Sequence, residues 1–217
     1  MMVRAGGDRY PAGWLERYYQ AVAWLSRLAR LAGARSVLYV VPDIPYDPVR
    51  SSRLAGWWME SFHPGLLGHA VPVVVLHPAC RDRPGCYREG LEHYRRLLGD
   101  HAYDSVYALV QLDRQQPGLS ARAITYAAGL ARGYAGTYTR IHLLGATLRL
   151  AKQLSVSCIP GLASADTSSW YWDRHYGRDR SPEGYLAEVG RLLSQAAGCS
   201  RGLRPLTRWL QAQSHTV

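Results

Sequence analysis

The sequence predicts an α/β fold from three observations: short β-branched runs recur about every 35 residues, helical periodicity fills the intervals, and no low-complexity linker interrupts the 217 residues. Strands separated by helices in this way are normally parallel and covered by helices. The chain is therefore read as one domain: an N-terminal helix over residues 1–35, βα units over 36–170 and a helical tail over 171–217.

From Pro11 to Ala32, apolar residues at Trp14, Tyr18, Val22, Leu25 and Leu28 form the stripe of a helix packed on a sheet. Ser36 to Val41 is a buried strand stopped by Pro42-Asp43. Helical spacing follows over Val49 to Phe62, then the most apolar strand, Val71 to Leu76. Tyr87 to Leu98 is helical, Ser105 to Gln111 extended, Ser120 to Tyr134 helical and Arg140 to Leu144 extended. Ala146 to Leu154 is a further helix, and Val156 to Ala163 is the weakest of five strands. Ser181-Pro182-Glu183 starts a helix over Tyr185 to Ala197, and Pro205 to Gln211 suggests a last one. Eight such units would close a (β/α)8 barrel, five or six an open doubly wound sheet, and strand counting does not separate them.

Composition narrows the function classes. Apolar residues make up 47% and charged residues 19%, enough for a core and too ordered a balance for a disordered chain. The longest uncharged stretches, such as Leu66 to Cys80, are broken by His69, Pro72 and His77, so no membrane span is expected. The first seven residues lack a secretory core, which points to the cytoplasm. Cys80, Cys86, Cys158 and Cys199 are scattered and read as free thiols. Lys152 is the only lysine beside 25 arginines, and asparagine is absent, a bias of GC-rich genomes or hot habitats. The net charge of +10 favours a polyanionic partner, with a solvated arginine surface as the alternative.

Neither GxGxxG nor GxxxxGK[ST] follows a strand, so the sequence gives no sign of dinucleotide or P-loop nucleotide binding. In parallel α/β folds the working residues gather where strands end. Those ends carry Asp43, His77, Gln111 with Asp113, Leu144-Gly145, and Asp166 within Ser164 to Trp170. Asp43 and Asp166 would then face one cleft from different strands, a pair suited to nucleophilic or acid/base work at a sugar carbon. The plainer alternative makes Asp43 a helix cap and Asp166 part of an Asx or Ser/Thr turn.

The order of three segments resembles a known family. Pro42-Asp43 after a strand, Ile141-His142-Leu143-Leu144-Gly145, and Ala165-Asp166-Thr167-Ser168-Ser169-Trp170 are similar to the second half of the tRNA-guanine transglycosylase barrel, nearest the branch that acts on DNA. The resemblance spans about residues 36 to 170 and implies an incomplete (β/α)8 barrel of TIM type. It implies exchange of guanine for a 7-deazaguanine base in tRNA or DNA, through a covalent glycosyl-enzyme on Asp166. Asp43 would read N1 and the exocyclic amine of the base, Leu144 and Gly145 would wall it, and His77 or Gln111 would make a further base contact. The family's Asp-Ser-Gly stretch on an earlier strand has no counterpart, so three early strands are expected to be missing. A second copy or a complementing subunit is expected to cover the exposed strand edge. A barrel remnant that binds nucleic acid or a partner without reacting is the competing reading.

Two further neighbourhoods complete the candidates. Trp170, Trp172, Arg174, Arg178 and Arg180 combine bases' stacking partners with phosphate partners at the rim of the proposed cleft. The group His77, Cys80, Cys86 and His93 offers zinc-ligand types at a spacing that matches no common zinc template, so no metal site is assigned and a loop with buried thiols is expected instead.

Overall fold

A computed structural model describes residues 2–5, 8–11, 13–34, 36–66, 70–80, 82–102, 105–110, 117–136, 139–167 and 181–198. The chain opens on an antiparallel hairpin, β1 (Met2–Ala5) with β2 (Asp8–Pro11), that the sequence reading did not anticipate. Ala5 pairs with Asp8 and Met2 with Pro11. Helix α1 (Trp14–Leu31) follows, started from Gly13 in the left-handed region at φ 72°.

Five βα repeats then build a parallel sheet: β3 (Val37–Val40), α2 (Pro48–Ser61), β4 (Ala70–Leu76), α3 (Cys86–Leu98), β5 (Val106–Leu109), α4 (Pro117–Ala135), β6 (Arg140–Leu143), α5 (Leu148–Leu154) and β7 (Leu162–Ala165). Helix α6 (Pro182–Ala197) comes last. Capping follows ordinary chemistry: the side chains of Asp47, Thr147 and Ser181 accept the backbone N–H of Arg50, Leu150 and Gly184. The fifth strand lies later than its sequence suggests, because Val156 is 88% exposed and Gly161 turns the chain at φ 84° before Leu162 enters the sheet.

Strand order runs β3-β4-β5-β6-β7, so space follows sequence without a reversal. A doubly wound sheet reverses at a switch point, and this one has none. The sheet curls into a half-barrel of mixed α/β architecture. Consecutive helices pack on one another in turn, α2 on α3, α3 on α4, α4 on α5 and α5 on α6.

Alternation along the strands sorts the side chains. Tyr39, Val74, Leu76, Tyr107, Leu109, Ile141 and Leu143 join the main core with the helices, where Leu54, Trp58, Leu98, Ile124, Leu150 and Leu193 are buried. The alternate residues Val73, Val75, Val106 and Ala108 form a small second cluster of strand side chains alone, with Val71, Val110 and Leu144 against it. Burying a Val or Leu contributes about 1.5–3 kcal/mol, so the larger cluster dominates stability. Tyr94 donates to the Val75 carbonyl at 2.6 Å and Tyr87 donates to the Val110 carbonyl, tying α3 to the ends of β4 and β5. Among the described residues no helix is long and apolar enough to cross a membrane.

The cysteines correct the sequence reading. Cys80 and Cys86 form a disulfide, and Cys158 is disulfide-bonded too, so the described cysteines are not free thiols. Sparse spacing misled because Cys86 opens α3 while Cys80 lies in the loop before it, and the Ala79 N–H to Cys86 carbonyl bond at 2.9 Å folds that loop onto the helix.

Candidate active site

Two histidine–aspartate pairs sit where the parallel strands end. At the β3 and β4 ends, His77 Nε2 lies 2.5 Å from Asp43 Oδ2, and the Tyr46 N–H donates to His77 Nδ1 at 3.1 Å. A backbone N–H only donates, so Nδ1 is the acceptor and the ring proton sits on Nε2, aimed at Asp43. His77 is 3% exposed with both nitrogens engaged, so it orients Asp43. Asp43 does not cap α2, since Asp47 does. Tyr46 holds φ at 61°, the only non-glycine in the left-handed region among the described residues, a conformation costing roughly 1–2 kcal/mol.

The second pair joins β6 to β7. Register shifts by one residue between Ile141 and His142, so Ile141 pairs with Leu162 but His142 pairs with Ser164. Bulges of this kind re-aim side chains. Here the shift brings His142 Nδ1 to 2.8 Å from Ser164 Oγ and His142 Nε2 to 3.3 Å from Asp166 Oδ2. The Gly145 N–H donates to Asp166 Oδ1 at 2.5 Å. The main chain is fixed as well: the Asp166 N–H donates to Leu143 O at 3.0 Å, and the Ala146 N–H donates to Asp166 O at 2.8 Å. The His142 hydrogen bond, outweighing burial and helped by the Gly145 N–H and the histidine's charge, lowers the Asp166 carboxyl below the usual carboxylate range. Its side chain is 54% exposed, so an ionised carboxylate faces solvent from a backbone held on both sides.

Gly145 takes φ 65°, and a Cβ there would meet nothing within 4 Å. Leu144 is half-buried against the valine cluster. The two aspartates follow the outermost strands of the sheet, four strand spacings apart, roughly 19 Å along its arc. Each carboxylate is thus brought to a histidine and not to the other carboxylate. Gln111, Trp170, Trp172, Arg174, Arg178 and Arg180 lie outside the described residues.

His142, Ser164 and Tyr46 were not assigned from sequence. The signal for His142 was alternation: flanked by core residues Ile141 and Leu143, it had to face the other side of the sheet. Ser164 depends on the bulge and Tyr46 on its backbone conformation, neither of which periodicity reveals. The oxidised Cys80 and Cys86 lie within 4.8 Å of Asp82 and form the one candidate metal group among the described residues. Sulfurs joined in a disulfide are not thiolates, and His77 is committed to Asp43, so the zinc set considered from sequence is not assembled here.

Comparison with models of protein families, with curated proteins and with solved structures finds no match.

Proposed function

We propose that this chain is a base-exchanging glycosyltransferase acting on guanine in nucleic acid, with Asp166 as the covalent nucleophile. The observation that carries this reading is the anchored, solvent-facing, ionised carboxylate of Asp166, held by the Gly145 N–H and by His142 at a strand end. A nucleophilic carboxylate must be charged, fixed and accessible at once. The sequential parallel sheet supports a barrel of TIM type, of which it would form five of eight units.

In the proposed reaction an Asp166 oxygen attacks C1′ of an extruded guanosine and the C1′–N9 bond breaks. Guanine leaves with the bonding pair and takes up a proton. A 7-deazaguanine then attacks C1′, gives up its ring N–H proton and releases the carboxylate, so no net hydrolysis or oxidation occurs. Leu144 and Gly145 would lie against the flat face of the base. The reading places the protein with nucleic acid in the cytoplasm, where persistent disulfides are confined mainly to hyperthermophiles.

The second reading, a barrel remnant that binds without reacting, is favoured by the five-stranded sheet, which leaves β3 and β7 as outer strands. Incubation with labelled guanine and tRNA or duplex DNA separates the two. Exchange into polymer, with a denaturation-resistant adduct absent from Asp166→Asn, supports the enzyme. Polymer binding without exchange by the unaltered protein rejects it.

A further inference from the structure

A second surface lies away from the strand ends. Between α1 and the 3-10 turn His63–Leu66 runs an open groove of about 540 Å³, lined by Tyr19, Gln20, Trp24, Arg27, Arg30 and Gly65 among others. No acidic side chain lines it, and neither guanidinium has an ion-pair partner among the described residues. Trp24 is 60% exposed beside these guanidiniums, which leaves its indole open to a stacking partner. Tyr19 to Arg30 covers twelve residues of helix, a rise of about 16 Å, the length of four or five stacked nucleotides.

The groove also has a direction. Tyr18, one residue before its first lining side chain, donates to the Val40 carbonyl on β3. Val41 bonds Val73 of β4, so the Val40 carbonyl points to the free edge of the sheet, close to the Asp43 rim. A polymer lying along α1 therefore runs towards one of the two acids of the candidate site.

We propose that the α1 groove holds a single-stranded stretch of nucleic acid, with Arg27 and Arg30 on phosphates and Trp24 stacked on a base. The choice of nucleic acid as the polyanion rests on the base-exchange reading; the charge and shape argument stands without it. Guanidiniums beside an exposed indole are what sequence-tolerant strand binding needs, since every base has a face and every linkage a charge. The net charge of +10 gives the long-range attraction, and the groove gives it a place.

The test is anisotropy of fluorescein-labelled dT15 at 50 to 200 mM salt, with Arg27→Gln/Arg30→Gln, with Trp24→Ala, and with an equal-charge control on exposed α5 and α6 positions, Arg149→Gln/Arg191→Gln. The groove pair is expected to weaken binding at least tenfold and to reduce the salt slope by about 1.4. Trp24→Ala is expected to lose about fivefold or more. The control pair is expected to stay within about threefold of the unaltered protein. Equal losses in the groove and control pairs would reduce the effect to net charge and overturn the proposal, as would a Trp24→Ala protein that binds normally or an unaltered protein that does not bind dT15 at 50 mM salt. Because dT15 contains no guanine and cannot undergo the exchange, failure of the exchange chemistry and failure of the groove are read separately.

Discussion

Gly145 and Asp166 hold each other across two strand ends: the glycine N–H donates to the aspartate Oδ1 at 2.5 Å, while the neighbouring Ala146 N–H donates to the aspartate carbonyl at 2.8 Å. Side chain and main chain of one residue are thereby tied to the same short loop. Replacing the carboxylate by an amide keeps the size and removes the charge. Asp166→Asn is expected to fold with a melting temperature within a few degrees of the original and to lose base exchange by at least about 1,000-fold, checked by labelled guanine incorporation.

The pH dependence follows from the same contacts. A carboxyl whose folded-state pKa is depressed favours the folded arrangement above its unfolded value, near 3.9, and that contribution fades as pH falls through the lower folded value. Asp166 should therefore stay ionised throughout the mildly acidic range. His142→Leu removes the largest of the lowering interactions, so the carboxyl should titrate at a higher pH, measured by carbon-13 NMR of labelled aspartate. An unchanged titration would show that His142 does not act on Asp166.

Gly145→Ala tests the loop itself. No atom blocks the new methyl group, so the cost is that of a side chain at φ 65°, about 1–2 kcal/mol. Denaturant titration should show that loss with an unchanged slope. A larger loss would mean that space, and not backbone conformation, limits this position.

Gly90→Ala makes the opposite case. A Cβ there would sit 2.2 Å from the His77 carbonyl oxygen, so helix and strand end must part. The expected destabilisation is about 1–3 kcal/mol, and the displaced His77 should loosen its hold on Asp43. Thermal unfolding measures the first effect. Proton NMR of the ring N–H shared with Asp43 measures the second, and an unshifted resonance would separate packing from the site.

Reducing Cys80–Cys86 frees a ring of seven residues, worth about 2 kcal/mol in chain entropy. Cys80→Ser/Cys86→Ser should therefore lower the denaturation midpoint. A midpoint that does not move would show that the loop is held by its Ala79–Cys86 backbone bond alone.

The repeating frame was legible in the sequence because alternating burial and helical spacing leave strong periodic signals, and β3 to β6 with α1 to α5 lie within a few residues of their expected places. The hairpin before α1 was not, since Met2–Ala5 and Asp8–Pro11 carry charged residues and a proline in place of a β-branched run. Asp43 and Asp166 could be placed at strand ends by position alone. Their pairing with His77 and His142 could not, because it depends on a one-residue register shift and on the Tyr46 backbone. Disulfide connection of Cys80 to Cys86 needed coordinates for the same reason: proximity across a turn has no period.

The placement of the two acids on the outermost strands makes sheet curvature a calliper. Each aspartate travels with its own local partners, so a few degrees of bending shared among the four strand junctions alters the span between them without breaking a contact within either pair. Whatever settles that curvature, from a crowded side chain among Val73, Val75, Val106 and Ala108 to a neighbour leaning on the rim, adjusts the gauge at both jaws.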